Sequence, residues 1–242
     1  MRPLSRLAAM HLVAVSALAI FPATSPAQER APVAKEIGKA YGVDSFGQVV
    51  AIRYTFNIPE FKLSRTWVWE PKTDTVSHEG KDKQGNPVKV TYKRGDLDSQ
   101  SDDVKKNIDP AFVNDQYVLL FPLHVAWDTW ATVTDEGMHE MPLSKKSARR
   151  VVVKYPGEGG YSPGDTWELY VGKNKRIEEW VYHRNGTEFP KLYTATYEGY
   201  KKAGPLLLST DHEGNGDGKP LRVFFSDVAL KVTGSDNWNN AE

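Results

Sequence analysis

The sequence contains no cysteine among its 242 residues. This absence excludes disulfide bonds, cysteine-ligated metals, a thiol nucleophile and a lipid-modified N-terminal cysteine. An excess of either charge is also lacking, because 31 basic residues balance 31 acidic ones. Proteins that bind nucleic acid usually carry a basic face, so we expect no nucleic-acid partner.

Long apolar runs are scarce, and the one at the N-terminus is short. Arg2 and Arg6 precede an apolar run from Leu7 to Phe21, and small residues follow it. The run is shorter than the ~20 residues that a membrane-spanning helix needs. This pattern is typical of a cleavable signal peptide. We predict cleavage after Ala27, export to the periplasm, and a single domain over residues 28–242 without a transmembrane span. Full secretion and a retained N-terminal anchor are the alternatives.

Most of the remaining chain alternates between apolar and polar residues, as half-buried strands do. In residues 48–58 the residues predicted to share one apolar face are Val50, Ile52, Tyr54, Phe56 and Ile58. Similar runs recur towards the C-terminus and are separated by turns rich in glycine, proline and asparagine. They predict nine or ten strands, mostly sequential, in an antiparallel meander.

Two segments have helical signals instead. Residues 33–43 form a short amphipathic pattern. Further along, Asp109 suits an N-cap, Pro110 suits the first helical position, and Pro122 predicts an end or a kink. A mid-chain helix within an antiparallel sheet is expected to cover its concave side. Residues 95–107 predict a mobile polar loop, and the last nine residues predict a frayed tail.

One motif suggests catalysis. The segment from Gly160 to Gly164 matches the G-x-S-x-G pattern of serine hydrolases, with Ser162 in the nucleophile position. A strand-like segment follows it where the motif requires a helix. The next residue, Pro163, has no backbone N–H to donate to an oxyanion. We therefore interpret Ser162 as a turn residue and predict no catalytic site.

Two other patterns suggest metal binding. Residues 211–222 resemble a calcium loop, but Arg222 occupies the position of its bidentate glutamate, so a hairpin tip is expected instead. His124 with Asp128, together with His139, would allow a zinc site. No H-E-x-x-H motif supports that site, and we expect no metal and no cofactor.

Aromatic residues are abundant, with seven tryptophans and eleven tyrosines. Most belong to a core. Two short helices cover nine or ten strands only in part, however, which predicts an apolar cavity suited to a hydrophobic ligand.

Three segments together resemble the LolA/LolB-type half-barrel family of periplasmic lipoprotein carriers and their uncharacterised exported relatives. They are FKLSRTWVWEP followed by TDTVSHEGKD, then GDTWELYVGKNKRIEEWVYH, and finally YEGYKKAGPLLLSTDHEG. The resemblance implies an α+β fold: a strongly curved antiparallel sheet, or half-barrel, wraps a mid-chain helix and follows a short N-terminal helix. It also implies that Arg65 contacts the helical lid and that aromatic residues line a cavity for acyl chains. The predicted ligand-binding residues are Tyr54, Phe56, Arg65, Trp67, Trp69, Leu120, Trp127, Trp167 and Tyr182.

Three functions follow as hypotheses. The first is non-enzymatic binding or carriage of a lipid, a lipoprotein acyl chain or another hydrophobic ligand, with Arg65 and Arg53 near a polar head group. The second is an interaction or structural protein of the cell envelope that meets a protein partner through an aromatic surface. The third, a hydrolase, requires an activity that is lost in Ser162→Ala or His124→Ala.

Overall fold

The computed structural model describes residues 31–82, 85–158, 163–186 and 192–242. The predicted cleavage after Ala27 and the Ser162 motif lie outside these ranges. Within them, no helix is long and apolar enough to cross a membrane.

Two α-helices and thirteen strands make up the described chain. The helices are α1 (Pro32–Ala40) and α2 (Asp109–Trp127). The strands are β1 (Val49–Ile58), β2 (Leu63–Glu70), β3 (Thr75–Lys81), β4 (Pro87–Lys93), β5 (Thr132–Glu140), β6 (Ser147–Lys154), β7 (Thr166–Val171), β8 (Ile177–His183), β9 (Leu192–Thr196), β10 (Glu198–Ala203), β11 (Leu206–Gly216), β12 (Lys219–Val232) and β13 (Asn239–Asn240).

The strands form one antiparallel sheet that does not close. Its order is β4-β3-β2-β1-β12-β11-β9-β8-β7-β6-β5, and β10 and β13 pair with β11 and β12 outside this path. Most neighbours are sequential, as the turn pattern predicted. The strands at the two ends of the order, β4 and β5, are not paired with each other in the described ranges, so the sheet is open.

Helix α2 lies in the concavity of this sheet. Near its start, the Phe112 ring lies 5.5 Å from the ring of Trp67 on β2. Near its end, Phe121 stacks on Trp167 of β7 at 3.9 Å. Strands β2 and β7 belong to opposite halves of the strand order, so the sheet curves around the helix. The predicted α+β half-barrel with a mid-chain helix and a short N-terminal helix is confirmed.

The prediction that Pro122 ends or kinks the helix is wrong in part, because α2 continues to Trp127. Proline has no N–H to donate to the carbonyl four residues earlier, which here is that of Val118. The Tyr197 hydroxyl donates a hydrogen bond to that carbonyl oxygen at 3.4 Å. The side chain of Tyr197, which lies between β9 and β10, therefore replaces the bond that the helix loses.

The N-terminal helix packs closely on the far end of α2. A Cβ atom added to Gly38 would lie 2.7 Å from the Cβ of Ala126. No side chain larger than hydrogen fits there without a shift of one helix. On the same helix, Val33 and Ile37 are buried, as their helical spacing predicted.

Strand β1 departs from its predicted alternation at its start. Val50 was expected on the apolar face but is 37% exposed, whereas Val49 is buried. The pairing with β12 shifts register between Val49 and Ala51. Such a bulge reverses the direction of the side chains before it.

Three segments are more ordered than expected. In the predicted polar loop, residues 94–99 form two short helical turns with a kink at Asp96, and residues 104–108 form a helical turn that continues into α2. The predicted frayed tail contains β13, and its Trp238 ring lies 4.8 Å below the Arg53 guanidinium. Strand β5 was not predicted, because its residues are mostly polar and it lies exposed at the edge of the sheet.

Candidate ligand-binding site

Helix α2 fills most of the concavity. From Asp109 to Trp127, only Pro110 and Asn114 are exposed. A helix buried on nearly all sides must satisfy its polar side chains within the protein. Three buried carboxylates make such contacts with the surrounding structure. They belong to Asp109 and Asp115 in the helix and to Asp128, which directly follows it.

We call the contact of Asp115 with β2 the Asp115 anchor. Arg65 donates to both carboxylate oxygens, from Nε at 2.8 Å and from Nη2 at 2.6 Å. The Nε1 of Trp67 donates to the same carboxylate at 2.9 Å. Burial raises the pKa of Asp115, and the Arg65 guanidinium opposes that rise. This bidentate contact fixes the first half of the helix against the sheet.

A second ion pair holds the helix start. The Tyr92 hydroxyl donates to Asp109 at 3.0 Å, and Arg94 donates to the same oxygen at 2.8 Å. Arg94 also lies 3.6 Å from a carboxylate oxygen of Asp74. The first turns of α2 are therefore held by charge-assisted contacts with β4 and the residue after it.

A cavity with a largely aromatic wall runs along helix α2 from Phe112 to Trp127. We call it the tryptophan cavity; its volume is about 530 Å³, and its aromatic lining consists of Trp69, Phe112, Tyr117, His124, Trp127 and Trp130. Trp130 is 54% exposed, which is unusual for so large an apolar side chain. The volume falls within the range of small-molecule sites.

The polar end of this cavity is a hydrogen-bond network around Asp128. The hydroxyls of Tyr117 and Tyr155 donate to the same Asp128 oxygen, at 2.9 and 2.8 Å. His124 contacts the other oxygen through Nδ1 at 3.2 Å, and its Nε2 lies 3.1 Å from Oε1 of Gln116. The His124 ring also stacks on Tyr117, with centroids 3.8 Å apart.

A second cavity of about 490 Å³ lies on the other side of Val113 and Tyr117, which line both cavities. Its aromatic walls are Phe56, Tyr117, Trp167, Trp180, Tyr182 and Tyr193. The Tyr182 hydroxyl donates to Asp165 at 2.8 Å. Burial, followed by that carboxylate, raises the pKa of Tyr182 well above its ordinary value, so its hydroxyl stays protonated.

A third cavity of about 590 Å³ lies between β2, β3 and the turn before α2, with Arg65, Trp67 and His78 in its wall. His78 stacks against Trp67 with ring centroids 4.2 Å apart. Burial lowers the pKa of His78, so the neutral imidazole is favoured there.

The nine predicted ligand-binding residues are divided among these cavities. Trp69 and Trp127 line the tryptophan cavity. Phe56, Trp167 and Tyr182 line the second, and Arg65 and Trp67 line the third. Tyr54 and Leu120 line none of these three and are buried in the hydrophobic core.

Sequence reasoning missed the polar residues of the site and its rim. Asp115, Gln116 and Trp130 were not predicted as site residues, and Asp128 was considered only with His124 as a zinc ligand. A signal was present, because a carboxylate in an otherwise apolar helix needs a buried partner. The family resemblance implied that Arg65 contacts the mid-chain helix, as it does at Asp115. No pattern in the sequence identified Asp115 as the partner, since the two residues are far apart along the chain.

The calcium-like segment forms the β11–β12 hairpin, with Asp217 and Gly218 at positive φ in its turn. Within it, Arg222 donates to both carboxylate oxygens of Asp211, at 2.8 and 2.5 Å. Across the described ranges, no group of three or more histidine, aspartate and glutamate side chains is placed to hold a metal ion. His139 contacts the Glu136 carbonyl oxygen at 3.1 Å on the exposed β5.

Comparisons with known proteins find similarity at the level of fold. No protein-family model and no curated protein matches the chain. A DUF1329 family protein from Desulfovibrio piger is 11% identical, with 85% of this chain and 95% of that chain covered and a TM-score of 0.42. A LolA superfamily protein from Nitrosomonas europaea is 10% identical, with 83% and 94% covered and a TM-score of 0.43. At these scores the similarity concerns the fold alone and gives no evidence on ligand or activity.

Proposed function

We propose that this protein binds and carries a hydrophobic molecule in the tryptophan cavity, without altering it chemically. The observation that carries the proposal is the cavity itself: about 530 Å³ remains open beside helix α2, with Trp69, Trp127 and Trp130 in its wall. Covering apolar wall contributes about 25 cal/mol per Å² before the costs of binding. A lipid or a lipoprotein acyl chain, taken up in the periplasm after export, is the ligand class that the sequence hypothesis names.

The polar groups of the cavity favour binding over catalysis. A hydrolytic histidine needs a ring nitrogen directed at a nucleophile. Both ring nitrogens of His124 instead contact side chains of the network, Asp128 and Gln116. The network therefore supports the cavity wall and offers hydrogen bonds to one end of a ligand.

The first test asks whether the protein contains a ligand as purified. The full chain with its own leader is expressed in a Gram-negative host, recovered from the periplasm, and examined by native mass spectrometry and solvent extraction. We expect one hydrophobic compound per chain. A protein free of ligand that also ignores hydrophobic probes would contradict the proposal, and a search for envelope partners would follow.

Two variants locate the ligand. Trp127→Ala enlarges the tryptophan cavity, and Tyr182→Ala does the same in the second cavity. We expect Trp127→Ala to weaken ligand binding at least about tenfold, which corresponds to about 1.4 kcal/mol. Tyr182→Ala is the control and should leave affinity unchanged. Trp67→Ala is unsuitable, because the buried Trp67 belongs to the Asp115 anchor and its loss would disturb folding.

A further inference from the structure

We infer that the tryptophan cavity takes a flat ring compound without a negative charge in preference to a flexible acyl chain. The inference rests on the proposed function, because it names the ligand class of the same cavity. Three features of the cavity support it: the chemistry of the walls, the way the rings are held, and the charges of the lining residues.

The walls of the tryptophan cavity consist mainly of aromatic and imidazole rings. Among the described residues that line the cavity, six carry aromatic or imidazole rings, and only Val113 and Pro156 have aliphatic side chains. The second cavity also has six aromatic rings in its wall but adds the aliphatic side chains of Ile58, Val118 and Val223. Aromatic faces and edges attract other rings in offset-stacked and edge-to-face arrangements, beyond the burial of their area. An alkyl chain gains only the burial.

The rings are held in place by neighbours outside the cavity. Phe46 packs behind two of the tryptophans, with its centroid 4.6 Å from Trp127 and 6.2 Å from Trp69. The Trp69 indole also donates to Asp74 at 3.1 Å. On the other side, His124 is stacked on Tyr117. Walls held in this way form a slot of fixed shape. A rigid ligand enters it without the ordering cost that a flexible chain would meet.

The charges at the polar end disfavour an anionic head group. The carboxylates of Asp128 and Glu158 both line the cavity. Its one lining guanidinium, within the described ranges, is that of Arg94, which already contacts Asp109 and Asp74. A fatty-acid carboxylate would therefore approach like charges. A neutral hydroxyl or amine can instead use the hydrogen-bonding groups of Gln116, His124 and Asp128.

The test compares two neutral alcohols of similar hydrophobicity by isothermal titration calorimetry on the delipidated full-length protein. One is 2-naphthol, which is flat and rigid, and the other is 1-octanol, which is flexible. We expect 2-naphthol to bind about tenfold more tightly. We also expect 2-naphthoate to bind at least about fivefold more weakly than 2-naphthol, because of the carboxylates at the polar end.

Variants that replace a ring by leucine separate stacking from burial. Trp127→Leu should weaken 2-naphthol about fivefold or more and change 1-octanol less than about twofold. If that variant does not fold, Trp130→Leu serves instead, because Trp130 is more than half exposed. The matched control is Phe61→Leu, at a ring that is 69% exposed and outside the cavity. It should change neither affinity.

The possible results keep the two proposals apart. Equal or tighter binding of 1-octanol, or an equal loss of both alcohols in Trp127→Leu, overturns the ring preference and leaves hydrophobic binding standing. Equal binding of 2-naphthoate and 2-naphthol overturns the exclusion of anionic ligands. Failure of both alcohols to bind, in a protein that also carries no compound from the periplasm, overturns both proposals.

Discussion

Helix α2 meets its surroundings in opposite ways in its two halves. In the first half, the buried carboxylate of Asp115 is matched by a guanidinium and an indole N–H. Past the last turn, the buried carboxylate of Asp128 is matched by two tyrosine hydroxyls and His124, beside an open cavity. The first contact balances charge with charge, whereas the second is built mainly from phenols. Removing one carboxylate charge is therefore expected to cost more at Asp115 than at Asp128.

The largest predicted effect tests this contrast directly. Asp115→Asn removes the charge that balances Arg65 within a buried contact, and such losses cost about 3–5 kcal/mol. Asp128→Asn keeps an oxygen that can accept from a phenol. It should cost less, about 1–3 kcal/mol, as for hydrogen bonds to a charged group. Urea denaturation of each variant gives the free energy of unfolding.

An exposed ion pair provides the control for this measurement. Lys106 contacts Asp102 at 2.8 Å on the surface of the turn before α2, and both side chains are largely exposed. Asp102→Asn should change the free energy of unfolding by less than about 1 kcal/mol. If Asp115→Asn and Asp128→Asn cost the same, the two halves do not differ as described.

The second prediction concerns the packing of the second half of α2 against α1. There α1 packs on α2 at Gly38 and Ala126. Gly38→Ala introduces a methyl group where the separation allows none, and overpacking of this kind costs about 1–3 kcal/mol. The matched control is Gly47→Ala, because a Cβ added to Gly47 meets nothing within 4 Å. Equal midpoints of thermal unfolding for the two variants would contradict a close helix contact.

Most strands and both helices were predicted from the sequence because their signals lie in neighbouring residues. The predicted apolar face of Ile52, Tyr54 and Phe56 in β1 is buried. Helix α2 begins near the predicted signal, but Asp109 is its first helical residue and not an N-cap. Both signals depend on neighbouring residues. What failed depends on partners distant along the chain. Pro122 indicated an end of the helix, since nothing local reveals that Tyr197 supplies the missing donor. Strand β5 was missed because its side chains are mostly polar and exposed, so its sequence lacks the apolar–polar alternation of a half-buried strand.

The same distinction holds at the candidate site. Aromatic strands predicted that a cavity would exist, and Trp69 and Trp127 line the tryptophan cavity. Sequence reasoning grouped nine residues into one site, but the structure places seven of them in three cavities. Which face of a curved sheet meets which side of the helix depends on the bend of the sheet, and that bend depends on long-range pairing. Tyr54 and Leu120 carry the same apolar signal as cavity residues, yet they lie in the core.

The smallest predicted effect lies at the boundary between the two halves, where Pro122 interrupts the helical hydrogen bonds. Tyr197→Phe leaves the Val118 carbonyl without its donor and should lower the free energy of unfolding by about 1 kcal/mol. In the Pro122→Ala background the helix regains an N–H at this position, which can donate to the same carbonyl. Tyr197→Phe should then cost less than half as much. A double-mutant cycle by urea denaturation measures the coupling between the two positions. Equal costs in both backgrounds would show that the hydroxyl does not replace the missing helical bond, and that the two halves are joined across Pro122 by packing alone.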